Sequence, residues 1–287
     1  MLKHVLRMGD LRCFTRVGRL FGMMTGYLDE SYSSLTVLCG GWIADDTVWD
    51  RIIPAWKQRV DYESRISIKR GLKPLSRYHA ADCSSLVNEF EGWSVDRQIG
   101  LVKKLQSIMT QGNIKTRSFR KPMIFAWGAN VKESEVFLGK LSKKARRKFC
   151  YELCVYECLK EVGRVMREIY TNERITFIHD RGEFATYAQE AFDFLISNDP
   201  VCREHFVALA PMGWDKCIPL QSADMVAYDL MKQIDKRFLG VEAIRRSLHE
   251  IVGMNTPIVA GCIKPGGFKE LREMWKRDHP EEVSWNA

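Results

Sequence analysis

The order of extended and helical segments constrains the fold of this chain more than any other feature. Two extended segments follow one another near the start: residues 25–29, and then residues 34–44 (SLTVLCGGWIA), which are apolar and β-branched. Later apolar segments alternate with long amphipathic stretches. Strands that first cluster and then alternate with helices are typical of a mixed sheet covered by helices. The pattern therefore predicts an α/β protein, but it does not select one fold.

Turn signals and periodicity also predict the individual elements. Asp45 and Asp46 are expected to open a helix that is kinked at Pro54. Gly40 and Gly41 are expected to mark a bulge or the close approach of another backbone. The other expected strands cover residues 65–68, 122–127, 174–178, 205–209 and 258–263, and the other expected helices cover residues 82–90, 95–109, 142–170, 184–197, 220–236, 241–252 and 268–275.

Composition favours a folded chain with a polyanionic partner. The 287 residues are 46% hydrophobic and 28% charged, which is ordinary for a globular protein, and the net charge is +8. We expect a single domain over residues 23–287 with helical insertions. Residues 1–22 carry five basic residues and one aspartate. They are expected to be a disordered basic arm, an organellar presequence or an upstream extension of the reading frame.

The cysteines favour a reducing compartment. Nine cysteines occur without a CxxC pair, and no secretory leader is recognisable, so a cytoplasmic location is expected. Cys150, Cys154 and Cys158 recur every four residues, which indicates one buried helical face more than a metal or redox cluster. No apolar run reaches the roughly 18 residues of a membrane span, so no membrane is expected as a partner.

Three aspartates lie where packing alone would not place them. Asp29 ends the first extended segment and shares a strand face with Tyr27, whereas Glu30 lies on the other face. Asp180 ends the apolar run ITFIH, at the carboxyl end of a strand, where ligands bind in open α/β sheets. Asp224 lies on or beside the apolar stripe of the helix over residues 220–236. A charge that faces inward requires a partner, a proton or a metal.

Each aspartate also has a plain structural interpretation. Asp29 could begin a turn, Asp180 could cap the next helix, and Asp224 could pair with an arginine in the core. Taken together, the three favour a site for Mg²⁺ or Mn²⁺, because these hard cations prefer oxygen ligands. Two such ions about 4 Å apart hydrolyse phosphodiesters by activating water and stabilising the leaving oxygen. The aspartates therefore suggest cleavage of nucleic acid.

Several short stretches resemble the signature sequences of the domain-of-unknown-function 3800 family. The likeness extends over residues 25–263, with Tyr32 standing where the family usually has glycine. The three main stretches are residues 27–31 (YLDES), 178–182 (IHDRG) and 219–227 (PLQSADMVA). A histidine-and-aspartate patch of the family is similar to residues 79–82 (HAAD) and 90–93 (FEGW).

This resemblance implies a ribonuclease H-like fold, with a mixed five-stranded sheet flanked by helices on both faces. In that superfamily, acidic residues lie on the first strand, on or near the fourth, and in a late helix. The resemblance implies that Asp29, Asp180 and Asp224 fill these positions as catalytic metal ligands. It also implies that His79 and Asp82 line the same crevice and assist catalysis.

Further residues are candidates for supporting roles. Glu30 and Glu183 are possible accessory ligands, although the strand face of Glu30 argues against it. Lys143, Lys144, Arg146 and Arg147, within the basic run of residues 140–148, are expected to contact the nucleic-acid backbone; the alternative is a solvated helix start. Trp42, Trp49 and Trp56 are expected in the core, and Asp229 and Asp235 in solvent.

The hypothesis from sequence is a metal-dependent nuclease that acts on DNA or RNA. The first alternative is a non-catalytic module of the same fold that binds nucleic acid or supports an assembly. The second is a metal-dependent hydrolase of small phosphate esters.

Overall fold

The computed structural model describes residues 23–110, 121–135, 142–253, 256–263 and 267–268. Six strands of this part form one mixed sheet: β1 (Met23–Tyr32), β2 (Thr36–Asp45), β3 (Met123–Asn130), β4 (Arg174–Asp180), β5 (Phe206–Met212) and β6 (Ile258–Cys262). Their order is β5-β4-β1-β2-β3-β6. The expectation of five strands is corrected to six, because β6 pairs in parallel with β3 and extends the sheet at that edge.

Helices flank this sheet. Those of the described residues are α1 (Asp46–Lys69), α2 (Ala80–Ser85), α3 (Val95–Thr110), α4 (Lys143–Ile169), α5 (Ala185–Asn198), α6 (Pro200–His205), α7 (Pro219–Phe238) and α8 (Arg246–Gly253), and a short 3₁₀ helix covers Asn88–Phe90. Most of these lie within a few residues of the expected helices. Among the described residues, no helix combines the length and the apolar character that crossing a membrane requires.

Strand β1 lies at the centre of the sheet and pairs on both sides. It runs antiparallel to β2, where Leu28 faces Gly41, and parallel to β4, where Leu28 faces His179. The pairing with β2 continues to Tyr32, so Asp29 lies inside the strand and does not end it. The interpretation of Asp29 as a turn residue is therefore wrong.

Alternate residues of β1 pack into two separate cores. Leu28 belongs to the core under α4 and α5, together with Cys150, Cys154 and Cys158. These three thiols are free and buried, as the four-residue spacing predicted. Tyr27 belongs to the core on the other face, which α1, α3 and α7 cover. Trp42, Trp49 and Trp56 are buried in this second core, so their expected role in packing is confirmed.

The glycine pair of β2 brings its neighbours close. A Cβ atom on Gly41 would lie 1.7 Å from the carbonyl oxygen of Tyr27, so only glycine fits beside β1. A Cβ atom on Gly40 would lie 3.4 Å from the Cα atom of Ala227, on α7. The expected close approach is confirmed, and it lets α7 pack tightly against β2.

Two expected elements are corrected. Residues 65–68 lie within α1, not in a strand. The helix continues past Pro54 and buries Glu63 and Ser67, both of which accept hydrogen bonds from Arg97 (Nε to Glu63 Oε2, 2.9 Å; Nη2 to Ser67 Oγ, 3.0 Å). The β-branched isoleucines at 66 and 68 suggested a strand, but these tertiary contacts outweigh local propensity.

The second corrected element is the helix expected over residues 241–252, which begins only at Arg246. Residues 241–245 have no regular structure, and the N–H of Arg245 donates to Gln233 Oε1 over 2.7 Å. The expected basic extension over residues 1–22, and all but Phe268 of the expected helix over residues 268–275, lie outside the described residues.

Candidate functional site

The start of α7 holds a separate segment of chain, residues 77–80, against the sheet. Gln221 Oε1 accepts hydrogen bonds from Trp56 Nε1 (3.1 Å) and from the N–H of Tyr78 (2.9 Å). Asp224 Oδ2 accepts from the N–H of Ala80 over 2.7 Å. The polar residues of the sequence LQSAD thus bind the segment that carries His79 and place it beside Asp224.

The parallel pairing of β1 with β4 brings two more carboxylates to the same place. Because Leu28 is paired with His179, the next residues, Asp29 and Asp180, follow as neighbours on adjacent strands, which lie about 4.8 Å apart. Paired residues point to the same face of a sheet, and here it is the face that α7 covers. Asp29, Asp180 and Asp224 therefore approach one another from two strands and one helix.

These residues line one cavity of about 680 Å³, which we call the acidic cavity. The three aspartates from distant parts of the sequence share it, as the sequence predicted. Side chains in its wall include those of Asp29, Glu30, Ser31, Tyr32, Arg77, Tyr78, His79, Asp180, Trp214, Gln221, Asp224, Tyr228 and Lys232.

Burial and mutual repulsion raise the pKa of the carboxyl groups in this cluster and so favour their protonated forms. Burial raises the pKa of Asp29 well above its usual value, and the charges of Glu30, Asp224 and Asp180 raise it further. Burial raises the pKa of Glu30 to about 7. The pKa of Asp224 rises to about 6, mainly through burial, while His79 and the N–H of Ala80 oppose the shift. The pKa of Asp180 is also raised by burial. The cluster is therefore poised to exchange protons, or to exchange a proton for a cation, near neutral pH.

The described part of the chain supplies no ion pair to the three aspartates. Within the described residues, Asp29, Asp180 and Asp224 have no lysine or arginine nitrogen within ion-pair distance. The core arginine suggested for Asp224 is therefore not found there. Glu30 Oε2 and Asp180 Oδ1 are buried without a hydrogen-bond donor in the described part of the chain. Such acceptors require a proton, a donor from a ligand, or a cation.

His79 and Asp82 act as a pair, but only one of them reaches the cavity. His79 Nδ1 lies 3.0 Å from Asp82 Oδ2, and His79 lines the wall. Asp82 lies behind it and is not part of the wall. Partial burial raises the pKa of Asp82, but the neighbouring His79 and Asn88 side chains outweigh it and leave the pKa below its usual value. Asp82 thus lies beside the imidazole and outside the wall, so the expectation that both residues line the crevice is corrected.

The two glutamates suggested as accessory ligands differ in position. Glu30 points to the opposite strand face, where its Oε2 lies 4.0 Å from His179 Nε2, yet its carboxylate still lines the acidic cavity. Gly182 makes room for it, since a Cβ there would lie 2.7 Å from Glu30 Oε1. The strand-face argument against Glu30 therefore does not hold. Glu183 pairs with Lys144 over 3.2 Å and is not part of the wall.

His179 is a buried structural residue. Its Nε2 is hydrogen-bonded to the Tyr151 hydroxyl over 2.5 Å, and its Nδ1 to the carbonyl oxygen of Asp180. Burial lowers the pKa of His179 to about 4, so the ring is neutral near pH 7. Its contact with Glu30 is therefore not an ion pair.

The basic residues of α4 are divided between several partners. Arg147 lies over the ring of Tyr32, 4.2 Å from its centroid, and Tyr32 lines the acidic cavity. Arg146 pairs with Glu135 over 2.7 Å, and Lys144 with Glu183. Lys143 begins the helix. This end of α4 therefore places positive charge beside the acidic cavity.

Sequence reasoning missed two cationic residues of the wall. The Arg77 guanidinium stacks on Trp214, 4.0 Å from the ring centroid. The two are far apart in the sequence, so no local pattern relates them. Lys232 follows Asp224 by about two helical turns, so helical periodicity could have placed it on the same face. Asp229, expected in solvent, is in fact buried and pairs with Arg245 over 3.3 Å.

The donor set of the acidic cavity consists mainly of carboxylate oxygens, which suit Mg²⁺ and Mn²⁺. Among the described residues, no group of three or more His, Cys, Asp and Glu side chains is placed so that it could hold a metal ion. No family model matches the chain, and no curated protein matches it either.

Proposed function

We propose that this protein is a metal-dependent nuclease of ribonuclease H-like fold. The observation that carries the proposal is that Asp29, Asp180 and Asp224 share one cavity and are not ion-paired within the described residues. Their positions on β1, at the end of β4 and on α7 follow the order that the resemblance to the domain-of-unknown-function 3800 family implies. Strand β6 is then an addition to the five-stranded sheet of that superfamily.

The carboxylate oxygens of the cavity are donors of the kind that a hard divalent cation prefers. Glu30 Oε2 and Asp180 Oδ1 are buried acceptors without a donor among the described residues, and the carboxylates raise one another's pKa because they repel. Positive charge between them relieves that repulsion and displaces the protons. Asp29, Asp180 and Asp224 would hold Mg²⁺ or Mn²⁺, with Glu30 as a further ligand. The bound ion supplies neutralisation of the scissile phosphate and a water molecule with a lowered pKa.

Two other residues of the wall have chemistry that suits a phosphodiester. Arg77 has its guanidinium plane fixed on Trp214, so its N–H groups are oriented before the substrate arrives. His79 Nδ1 lies 3.0 Å from Asp82 Oδ2, so its Nε2 is the nitrogen left to exchange a proton with the leaving oxygen. We assign Arg77 to binding the phosphate and His79 to proton transfer.

The proposed substrate is a nucleic acid because positive charge surrounds the acidic cavity. Arg147 lies at its rim over Tyr32, and Lys232 lies in its wall. The net charge of +8 also favours a polyanion. These cations would hold the backbone on either side of the cleaved phosphate.

The test is cleavage of labelled DNA and RNA, single- and double-stranded, with Mg²⁺, Mn²⁺ or a chelator. We expect cleavage that requires the metal. Asp29→Asn and Asp224→Asn should lower the cleavage rate by more than about 100-fold. This loss is larger than is usual for a residue that only hydrogen-bonds to a metal ligand. Asp235→Asn is the matched control on α7, since Asp235 accepts from Ser33 Oγ and does not line the cavity.

Binding of Mn²⁺, measured by calorimetry, tests the site apart from activity. Wild type and Asp235→Asn should bind Mn²⁺ alike, and Asp29→Asn should bind it at least about 10-fold more weakly. Nucleic-acid binding without cleavage under any metal would favour the non-catalytic module. Cleavage of small phosphate esters alone would favour the metal-dependent hydrolase of such esters. Full activity of Asp29→Asn would refute the proposed site.

A further inference from the structure

A second cavity lies next to the acidic cavity. It has a volume of about 340 Å³ and lies between α2, α3, α7 and the start of α8. Tyr78 and Tyr228 line both cavities, so these two residues form the wall between them. We call it the basic cavity, because Lys236, Arg245 and Arg246 are part of its lining.

The lining of the basic cavity carries uncompensated positive charge. Its described carboxylate, Asp229, is buried and paired with Arg245, whose Nη2 lies 3.3 Å from Asp229 Oδ1. Lys236 and Arg246 form no ion pair within the described part of the chain. A cavity with this charge favours an anionic group, and a phosphate suits both a lysine and an arginine.

A buried amide in the same lining also requires a partner. Gln106 is 1% exposed, and both its amide nitrogen and its amide oxygen lack hydrogen-bond partners in the described residues. Leaving both unpaired is costly, so a ligand that offers a donor beside an acceptor would be favoured. The edge of a nucleobase has that pattern. Tyr228 adds an aromatic ring to the same lining, and the Arg245 guanidinium lies over this ring, 6.0 Å from its centroid.

We propose that the basic cavity binds one nucleotide unit of a single-stranded nucleic acid. The base lies toward Gln106 and Tyr228, and the phosphate toward Lys236 and Arg246. The volume, near the lower end of the roughly 300–1,000 Å³ of ligand cavities, suits one unit and no more. Lys232 lies one helical turn from both Tyr228 and Lys236, so it can contact the backbone as the strand passes into the acidic cavity.

This inference rests on the proposed function, since it names the nucleotide that adjoins the cleaved phosphate. Its test is the affinity for short, fluorescein-labelled single-stranded DNA and RNA of mixed sequence, measured by anisotropy in EDTA at several salt concentrations. The variants are Gln106→Leu and the double variant Lys236→Gln/Arg246→Gln. The matched control is Lys69→Gln/Arg70→Gln, which removes two exposed charges that line neither cavity.

We expect the cavity double variant to bind at least about 10-fold more weakly, and the slope of log affinity against log salt to fall by about 0.7, as for one lost phosphate contact on a single strand. Gln106→Leu should bind at least about fivefold more weakly with an unchanged slope. Its melting temperature should be unchanged or higher, because an unpaired amide is removed. The control should bind as wild type does.

The outcomes separate this inference from the proposed function. Affinities equal to the control for both cavity variants, or no binding by wild type, would overturn the nucleotide site. If the expected losses are found but no metal supports cleavage, the nucleotide site stands and the nuclease proposal fails. If cleavage occurs and the cavity variants bind normally, the nuclease proposal stands and the nucleotide site fails. Should Gln106→Leu fail to fold, the charge variants alone decide.

Discussion

Asp224 shows how much one position depends on contacts from a distant segment. The sequence indicated that it faces inward, because it lies beside the apolar stripe of its helix. It could not show that the N–H of Ala80 donates to it, or that Arg77 lowers its pKa from across the cavity. Both contacts come from residues 77–80, where an irregular segment leads into the first residue of α2, and no periodicity in the sequence places this segment.

The pKa shifts predict how stability depends on pH without metal. The pKa of Asp224 is raised to about 6 and that of Glu30 to about 7, so between pH 4 and 7 the folded protein binds more protons here than the unfolded chain. The contribution of these groups to stability is therefore present at low pH and is lost as pH rises through about 6 to 7. Asp224→Asn, which keeps an acceptor for Ala80, removes one such group.

In chelator at pH 8, we expect Asp224→Asn to be more stable than wild type by about 1–3 kcal/mol, with the difference shrinking toward pH 4. Denaturant titration at each pH measures it, with Asp235→Asn as the control. Added Mn²⁺ should raise the melting temperature of wild type more than that of Asp224→Asn. A marked loss of stability in Asp224→Asn in chelator would instead identify Asp224 as a structural hydrogen-bonding residue.

Gln221 is the second residue whose role the sequence could not give. Its Oε1 accepts from both Trp56 Nε1 and the N–H of Tyr78, two buried donors from other elements. Gln221→Leu should lower the free energy of unfolding by about 2–4 kcal/mol, since both donors lose their acceptor. It should also loosen the segment that carries His79, so activity should fall more than that of Gln233→Leu, a glutamine further along α7. Equal effects of the two would contradict the positioning role.

Among the elements, long periodic segments were predicted well and short ones poorly. The helices α3, α4 and α7 and strand β2 lie within a few residues of the ranges that periodicity gave. Residues 65–68 were misassigned because a short β-branched run cannot reveal that α1 continues through them. The strand expected over residues 258–263 is present as β6, and it is the sixth strand of a sheet for which the resemblance implied five.

The approach of β1 to β2 is an element-scale feature that can be tested directly. A Cβ on Gly41 would lie 1.7 Å from the Tyr27 carbonyl oxygen, so Gly41→Ala must push the strands apart. It should lower the free energy of unfolding by about 3 kcal/mol or more and shift Asp29 within the cavity. Gly100→Ala on α3 is the matched control, because a Cβ there has no neighbour within 4 Å. This substitution should raise the free energy of unfolding by about 0.5–1 kcal/mol. Similar results for both would contradict the close approach.

At the scale of the whole molecule, the net charge alone could not say where a polyanion would bind. The structure places Arg147 beside the acidic cavity through Tyr32, and Lys144 beside Glu183. The basic run of α4 was identified in the sequence, but its distance from the aspartates depends on packing across the sheet.

Lys144→Gln/Arg147→Gln should therefore weaken nucleic-acid binding by at least about 10-fold and lower the salt slope by about 1.4 for single strands. Lys160→Gln/Arg167→Gln, at the far end of the same helix, removes the same charge and should have a smaller effect. Equal losses would mean that net charge, and not this location, determines binding. Filter binding at several salt concentrations measures both.

The row of buried thiols along α4 can serve as a chemical probe of the protein interior. Of the free cysteines in the described part, Cys262 is partly exposed, whereas Cys150, Cys154 and Cys158 are enclosed between α4 and the sheet. An alkylating dye can reach these three only when the helix lifts away. The rate at which they become labelled would thus report how often this half of the molecule opens, without any engineered probe.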